Sequence, residues 1–191
     1  VGAGHAGVSE QPSGRGGRRR AVRLGAVAVA TALALVGCGR APSTAAEVGG
    51  TTISNAELES AIEGTVGVLG EQEGLGTDVL TTLVRGAAVD EVVARSVAAG
   101  RDELVISQAE RNTFMASQPG VQRLAEVPAA APVADALADF TILQQRMGSE
   151  DFVTAITAVP VEVNPRWGAW QPEQAAVAGG GGALSVESYA E

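Results

Sequence analysis

The chain has 191 residues and a formal net charge of −9, with 46% hydrophobic but only 3% aromatic residues. That length holds one ordinary domain with extensions rather than two full domains. All 13 basic residues are arginine, and the only histidine and cysteine, His5 and Cys38, fall within the first forty positions. Beyond them a Ser-His-Asp triad, a Cys-His pair, a His/Cys zinc site and a disulfide framework lack the residues they need.

Arg15, Arg18, Arg19, Arg20 and Arg23 precede Leu24–Val36, an uncharged apolar run of 13 residues. As a helix this run reaches about 20 Å, short of the ~30 Å hydrocarbon core of a bilayer. A basic segment ahead of a short apolar one is the layout of a secretory signal peptide. Leu35-Val36-Gly37-Cys38 resembles a bacterial lipobox, which implies cleavage between Gly37 and Cys38 and lipidation of Cys38. Acyl chains add about 0.8 kcal/mol per buried methylene, so two or three of them hold a protein firmly at a bilayer. The expectation is an extracytoplasmic protein, lipid-anchored to the cell membrane. Arg18-Arg19 leaves the export route, Sec or twin-arginine, open.

Removing residues 1–37 takes away five arginines and Glu10, so the formal charge moves from −9 to −13. So acidic a chain repels nucleic acid and anionic headgroups, and no nucleic-acid partner is expected. Gly179–Gly182 has no preceding strand and no following Gly-Lys-Ser/Thr, so it is not a phosphate loop, and no nucleotide or other cofactor is expected.

Gly39–Ala45 reads as a linker. From Ala46 to Ile53 two short strands flank Gly49-Gly50, a tight hairpin signal. Ser54 and Glu57 form a capping box that opens a helix over Asn55–Leu69, with Leu58, Ile62 and Val66 on one face. Gly70–Gly76 is a loop, after which Thr77 is the expected cap of a long core helix reaching about Ala99 and stopped by Gly100. Its apolar residues include Leu80, Leu83, Val84, Ala87, Ala88, Val92 and Val93 at helical spacing. Ser107 and Glu110 make a second capping box for a helix over Gln108–Ser117, which Pro119-Gly120 is expected to end. Val121–Glu126 is a short helical turn. Pro132 suits a first helical turn, and Val133, Leu137, Phe140, Leu143 and Met147 form the next apolar stripe, closed by Gly148. A short helix is expected within Ser149–Ala158. Val159–Val163 alternates like a strand, with Pro160 placing it at an edge or a strand start.

Three segments together carry a family resemblance. Glu47-Val48-Gly49-Gly50-Thr51-Thr52-Ile53-Ser54-Asn55-Ala56-Glu57-Leu58 resembles the opening hairpin and first helix of SurA-type periplasmic chaperone domains, shared with PrsA-like and trigger-factor-like foldases. Gly49 stands where that family usually has Asn. Leu104-Val105-Ile106-Ser107-Gln108-Ala109-Glu110 is similar to the family's later box, with Arg111 where it has an apolar residue. Val161-Glu162-Val163-Asn164-Pro165-Arg166-Trp167-Gly168-Ala169-Trp170 resembles the closing segment of actinobacterial SurA-like lipoproteins.

The resemblance implies a mainly α-helical SurA N-terminal-like domain over residues 46–170. It also implies a small β element in which a C-terminal strand joins the N-terminal hairpin. Ahead of the domain would lie the signal peptide (1–37) and the lipidated Cys38 with its linker (38–45). A flexible Gly-rich tail (171–191) would follow. Foldases of this type insert a parvulin domain of about a hundred residues before the closing strand. Only residues 132–158 stand there, and no histidine follows His5. The implied function is therefore binding of unfolded or newly exported polypeptides, not isomerase catalysis. A structural adaptor docking one envelope partner and a divergent prolyl isomerase are the alternatives.

Trp167 and Trp170 have two open roles, apolar client contact or packing of the closing strand onto the helices, and packing is the commoner fate of tryptophan. Arg166 has two as well, binding a client carboxylate or capping helix carbonyls. Asn164-Pro165 reads as a turn. Glu57, Glu110, Glu150 and Asp151 fit caps and helix starts, and nothing in the spacing singles out a catalytic carboxylate pair.

Overall fold

The computed structural model describes residues 43–179. The expected signal peptide, the lipobox-like segment with Gly37 and Cys38, and the last twelve residues lie outside the described residues. Two strands, β1 (Thr44–Val48) and β2 (Thr51–Ser54), pair antiparallel around Gly49-Gly50. Both glycines have positive φ, +57° and +99°, as a two-residue hairpin turn of the primed type demands. A Cβ at Gly49 would also meet the Glu91 side chain at 2.8 Å.

The capping box then starts α1 (Asn55–Leu69): Ser54 Oγ accepts from the Glu57 N–H at 3.1 Å, and Glu57 Oε2 accepts from the Ser54 N–H at 2.8 Å. The longest helix, α2 (Leu75–Ala98), starts two residues before the expected Thr77 cap. Gly74, in the left-handed conformation, makes the turn by backbone geometry alone, so Thr77 lies inside the first helical turn. Gly100 has φ +78° just beyond the helix end. After a 3-10 turn, the second box caps α3 (Gln108–Ser117) in the same reciprocal way. Pro119 does not end helical structure as expected. The break lies at extended Gln118, and Pro119 occupies the first turn of α4 (Pro119–Ala125), where its missing N–H costs nothing. α5 (Ala131–Met147) and α6 (Ser149–Thr157) follow, separated by Gly148 at φ +77°.

β3 (Val161–Val163) returns to pair antiparallel with β1, giving the sheet order β2-β1-β3. β1 is thus central, and Ala45, Ala46 and Val48 are buried. β4 (Ala169–Gln171), a 3-10 turn at Pro172–Gln174 and β5 (Ala176–Ala178) form a second, two-stranded sheet. The expected tail from residue 171 is corrected here, since folded structure runs on to Ala178. It is fixed by groups on α2, ninety or more residues away. Val177 N–H donates to Thr81 Oγ1 at 3.1 Å, and Arg85 Nε donates to the Ala175 carbonyl at 2.6 Å. Arg85 also lies over the Phe140 ring, 5.0 Å from its centroid.

The architecture is mainly helical with two small antiparallel sheets. α2 packs most extensively on α5. Leu58, Leu80, Val84, Ala88, Val89, Leu143 and Ile156 are fully buried at the centre. Small residues let the two helices approach closely: a Cβ at Gly86 on α2 would sit 2.6 Å from the Ala136 Cβ on α5. Ala61, Gly64 and Thr65 of α1 are buried, whereas Ile62 and Val66 of the expected face are only partly so. No helix among the described residues is long and apolar enough to cross a membrane.

Candidate functional site

β2, α1, α2 and α5 enclose an open groove of about 390 Å³. Helical spacing builds its walls. α2 contributes Leu83, Gly86, Ala87 and Asp90, and α5 contributes Pro132, Asp135, Ala136 and Asp139, each at positions i, i+3, i+4 and i+7. Glu57 and Ala61 of α1 and Thr51, Thr52 and Ile53 of β2 complete the lining. The small residues that let α2 and α5 approach also leave the space above them empty. The floor is therefore apolar, and the charged groups in the lining are all carboxylates.

Asp139 is only 6% exposed and forms a bidentate pair with Arg111 from α3, Nε–Oδ1 2.6 Å and Nη2–Oδ2 2.9 Å. That hydrogen-bonded pairing raises the Arg111 pKa. Asp90 and Asp135 have no hydrogen bond or ion pair among the described residues. Both side chains are solvent-exposed, yet the walls desolvate them enough to raise the pKa of each; at Asp90 the Asp139 charge adds to this and Arg111 opposes it, and at Asp135 the opposing effect of Arg111 exceeds that of Asp139. Three aspartates thus share one guanidinium. Glu57 contributes a fourth carboxylate, held below its ordinary pKa by the backbone and side-chain hydrogen bonds of the Ser54 cap. Among the described residues no group of three or more His, Cys, Asp or Glu is placed to hold a metal ion.

A second open depression lies between α3 and α5, lined by Phe114, Ile142, Glu110 and Arg146 among others. Its charges are matched: Arg146 Nη2 pairs with Glu110, and Arg146 Nη1 donates to the carbonyls of Glu103 and Val105. The two concavities differ less in size than in whether their polar groups already have partners.

None of Arg166, Trp167 and Trp170 lines the groove. Trp167 Nε1 donates to Asn55 Oδ1 at 2.9 Å at the start of α1, and the ring packs on the core. Arg166 caps no helix carbonyl among the described residues. Its guanidinium lies 4.8 Å from the Trp167 ring centroid and 3.8 Å from Glu59 Oε1. Trp170 packs against the core from β4, with its buried Nε1 unpartnered among the described residues. Asn164 makes the expected turn: its carbonyl accepts from the Trp167 N–H at 2.8 Å, and its side-chain amide donates to the Thr44 carbonyl at 2.9 Å.

The groove aspartates escaped sequence reasoning, although a signal was present. Asp90 and Asp139 interrupt apolar stripes, Asp90 lying seven residues after Leu83 and Asp139 standing between Ala138 and Phe140. Arg111 occupies an apolar position of the second box for a related reason, because it pairs with Asp139. No family model, characterised protein or solved structure matches this chain.

Proposed function

We propose that this protein is a lipid-anchored, extracytoplasmic chaperone-like protein that holds unfolded or newly exported polypeptides. Binding is reversible burial of client segments in the groove between β2, α1, α2 and α5, without nucleotide or covalent chemistry. One observation carries this reading: the groove is open, its floor is apolar, and one wall is an edge strand. β2 is last in the sheet order β2-β1-β3. Its outer edge makes no backbone hydrogen bond to another element among the described residues. Apolar surface together with a free strand edge suits an extended chain, which needs both side-chain burial and backbone pairing. The SurA-type resemblance in three segments of the sequence supports the same reading, as does the lipobox-like Leu35–Cys38.

The test adds residues 39–191 in rising molar ratios to a chemically unfolded protein and follows aggregation by light scattering. Suppression that saturates near stoichiometry without ATP is expected. A folded domain that leaves aggregation unchanged would replace the holdase reading with that of an adaptor for one envelope partner, to be sought in detergent extracts.

A further inference from the structure

The charge of the groove goes further than its shape. We infer that its occupant is a polypeptide segment carrying an arginine or lysine flanked by small apolar residues, laid along β2 with the cation between Asp90 and Asp135. The inference rests on the reading of the groove as a polypeptide site and specifies which polypeptides it takes.

Asp90 from α2 and Asp135 from α5 stand on opposite helices above a floor of Leu83, Ala87 and Ala136. Arg111 is committed to Asp139 through two hydrogen bonds, which leaves the other two aspartates unpaired. Both side chains are exposed to solvent, so a cation arriving from outside can reach them, and it meets a lining whose charged groups are all carboxylates. Apolar neighbours of that cation cover the floor, whereas an acidic segment would add a third unpaired charge and is rejected. A free small cation has no use for the unpaired edge of β2, so the backbone favours a polypeptide over a polyamine. The depression between α3 and α5 serves as an internal contrast, since its Glu110 and Arg146 satisfy each other and confer no such preference.

The experiment uses fluorescently labelled alanine/valine peptides of about seven residues, a typical strand length. They differ only in a central arginine, leucine or glutamate, and fluorescence anisotropy measures their affinity for residues 39–191. The arginine peptide is expected to bind about tenfold more tightly than the glutamate peptide, with the leucine peptide between them. The preference should shrink several-fold in molar salt. It should also collapse in the Asp90→Asn/Asp135→Asn double variant, whose fold is checked by circular dichroism. Spermine should not displace the arginine peptide at equal concentration.

Equal affinity for the arginine and glutamate peptides, or a preference that survives the double variant, would overturn the inference. If light scattering still showed aggregation suppression, the chaperone reading would stand without the selectivity. Displacement by spermine would assign the aspartates to a small-cation site instead. Arginine-selective binding without aggregation suppression would keep the groove assignment and remove the holdase reading.

Discussion

The closing segment Asn164–Trp170 and the groove both combine charge with apolar surface, yet they treat their polar groups in opposite ways. In the closing segment the amide of Asn164, the indole N–H of Trp167 and the guanidinium of Arg166 are engaged within the domain, and the one group without a partner among the described residues, the Trp170 indole N–H, is buried away from solvent. In the groove the exposed Asp90 and Asp135 make no hydrogen bond or ion pair among the described residues, and desolvation by the walls raises their pKa values. Chemical type alone points to the tryptophans as the binding residues. Partner satisfaction points instead to the aspartates, because a group already paired has less to gain from a ligand.

The largest way to break this contrast is to remove the one cation that neutralises the groove from within. Arg111→Leu leaves Asp139 buried and uncompensated, and we expect a loss of about 3 kcal/mol in urea unfolding at neutral pH. Adding Asp139→Leu should restore most of it, since the cost lies in the orphaned charge rather than in the lost pair. Next comes Trp167→Ala, which deletes partly buried packing and the Trp167–Asn55 hydrogen bond. Its expected cost is about 2 to 3 kcal/mol, with groove-peptide affinity unchanged in the folded fraction. Gly86→Ala acts on the groove floor, where the new methyl would collide with Ala136. An overpacking loss of about 1 to 2 kcal/mol is expected, and here peptide affinity should fall as well.

Two smaller effects sharpen the contrast through pH. Glu110, whose pKa is lowered to about 2 by the Ser107 cap hydrogen bonds and by Arg146, binds fewer protons folded than unfolded. Its contribution is complete above the ordinary glutamate range and is lost as pH falls from 4.5 towards 2. Glu110→Gln should flatten that part of the acid limb in pH-dependent unfolding. The raised groove aspartates work the other way. The folded state holds their protons more tightly, so each lowers stability as pH rises through its folded pKa. Asp90→Asn and Asp135→Asn should each raise the urea midpoint slightly at neutral pH, with the gain vanishing below the ordinary aspartate range.

What could be read from the sequence follows where the structural cause is local. α1 and α3 begin where the capping boxes place them, because both partners of each box lie within four residues. The hairpin was legible from Gly49-Gly50 for the same reason. The start of α2 was not, because Gly74 sets it through backbone conformation and not through a side-chain cap. β4 and β5 were hidden because three-residue strands carry little pattern and because Thr81 and Arg85, which anchor β5, lie far away in the chain. The groove was hidden more deeply. Asp90 and Asp135 are separated by 45 positions, and they share a groove because α2 packs along α5, closely at Gly86 and Ala136.

The central claim, that polypeptide binds in the groove and not on the closing segment, can be tested directly because residues 39–191 contain no cysteine. A single cysteine placed by Thr52→Cys in the groove, or by Glu59→Cys beside Arg166, would carry a photo-crosslinker in the presence of a radiolabelled unfolded client. The account predicts crosslinks from position 52, competed by the arginine-containing peptide, and few from position 59. Crosslinks confined to position 59, with position 52 silent, would contradict it and return the binding role to Arg166 and the tryptophans.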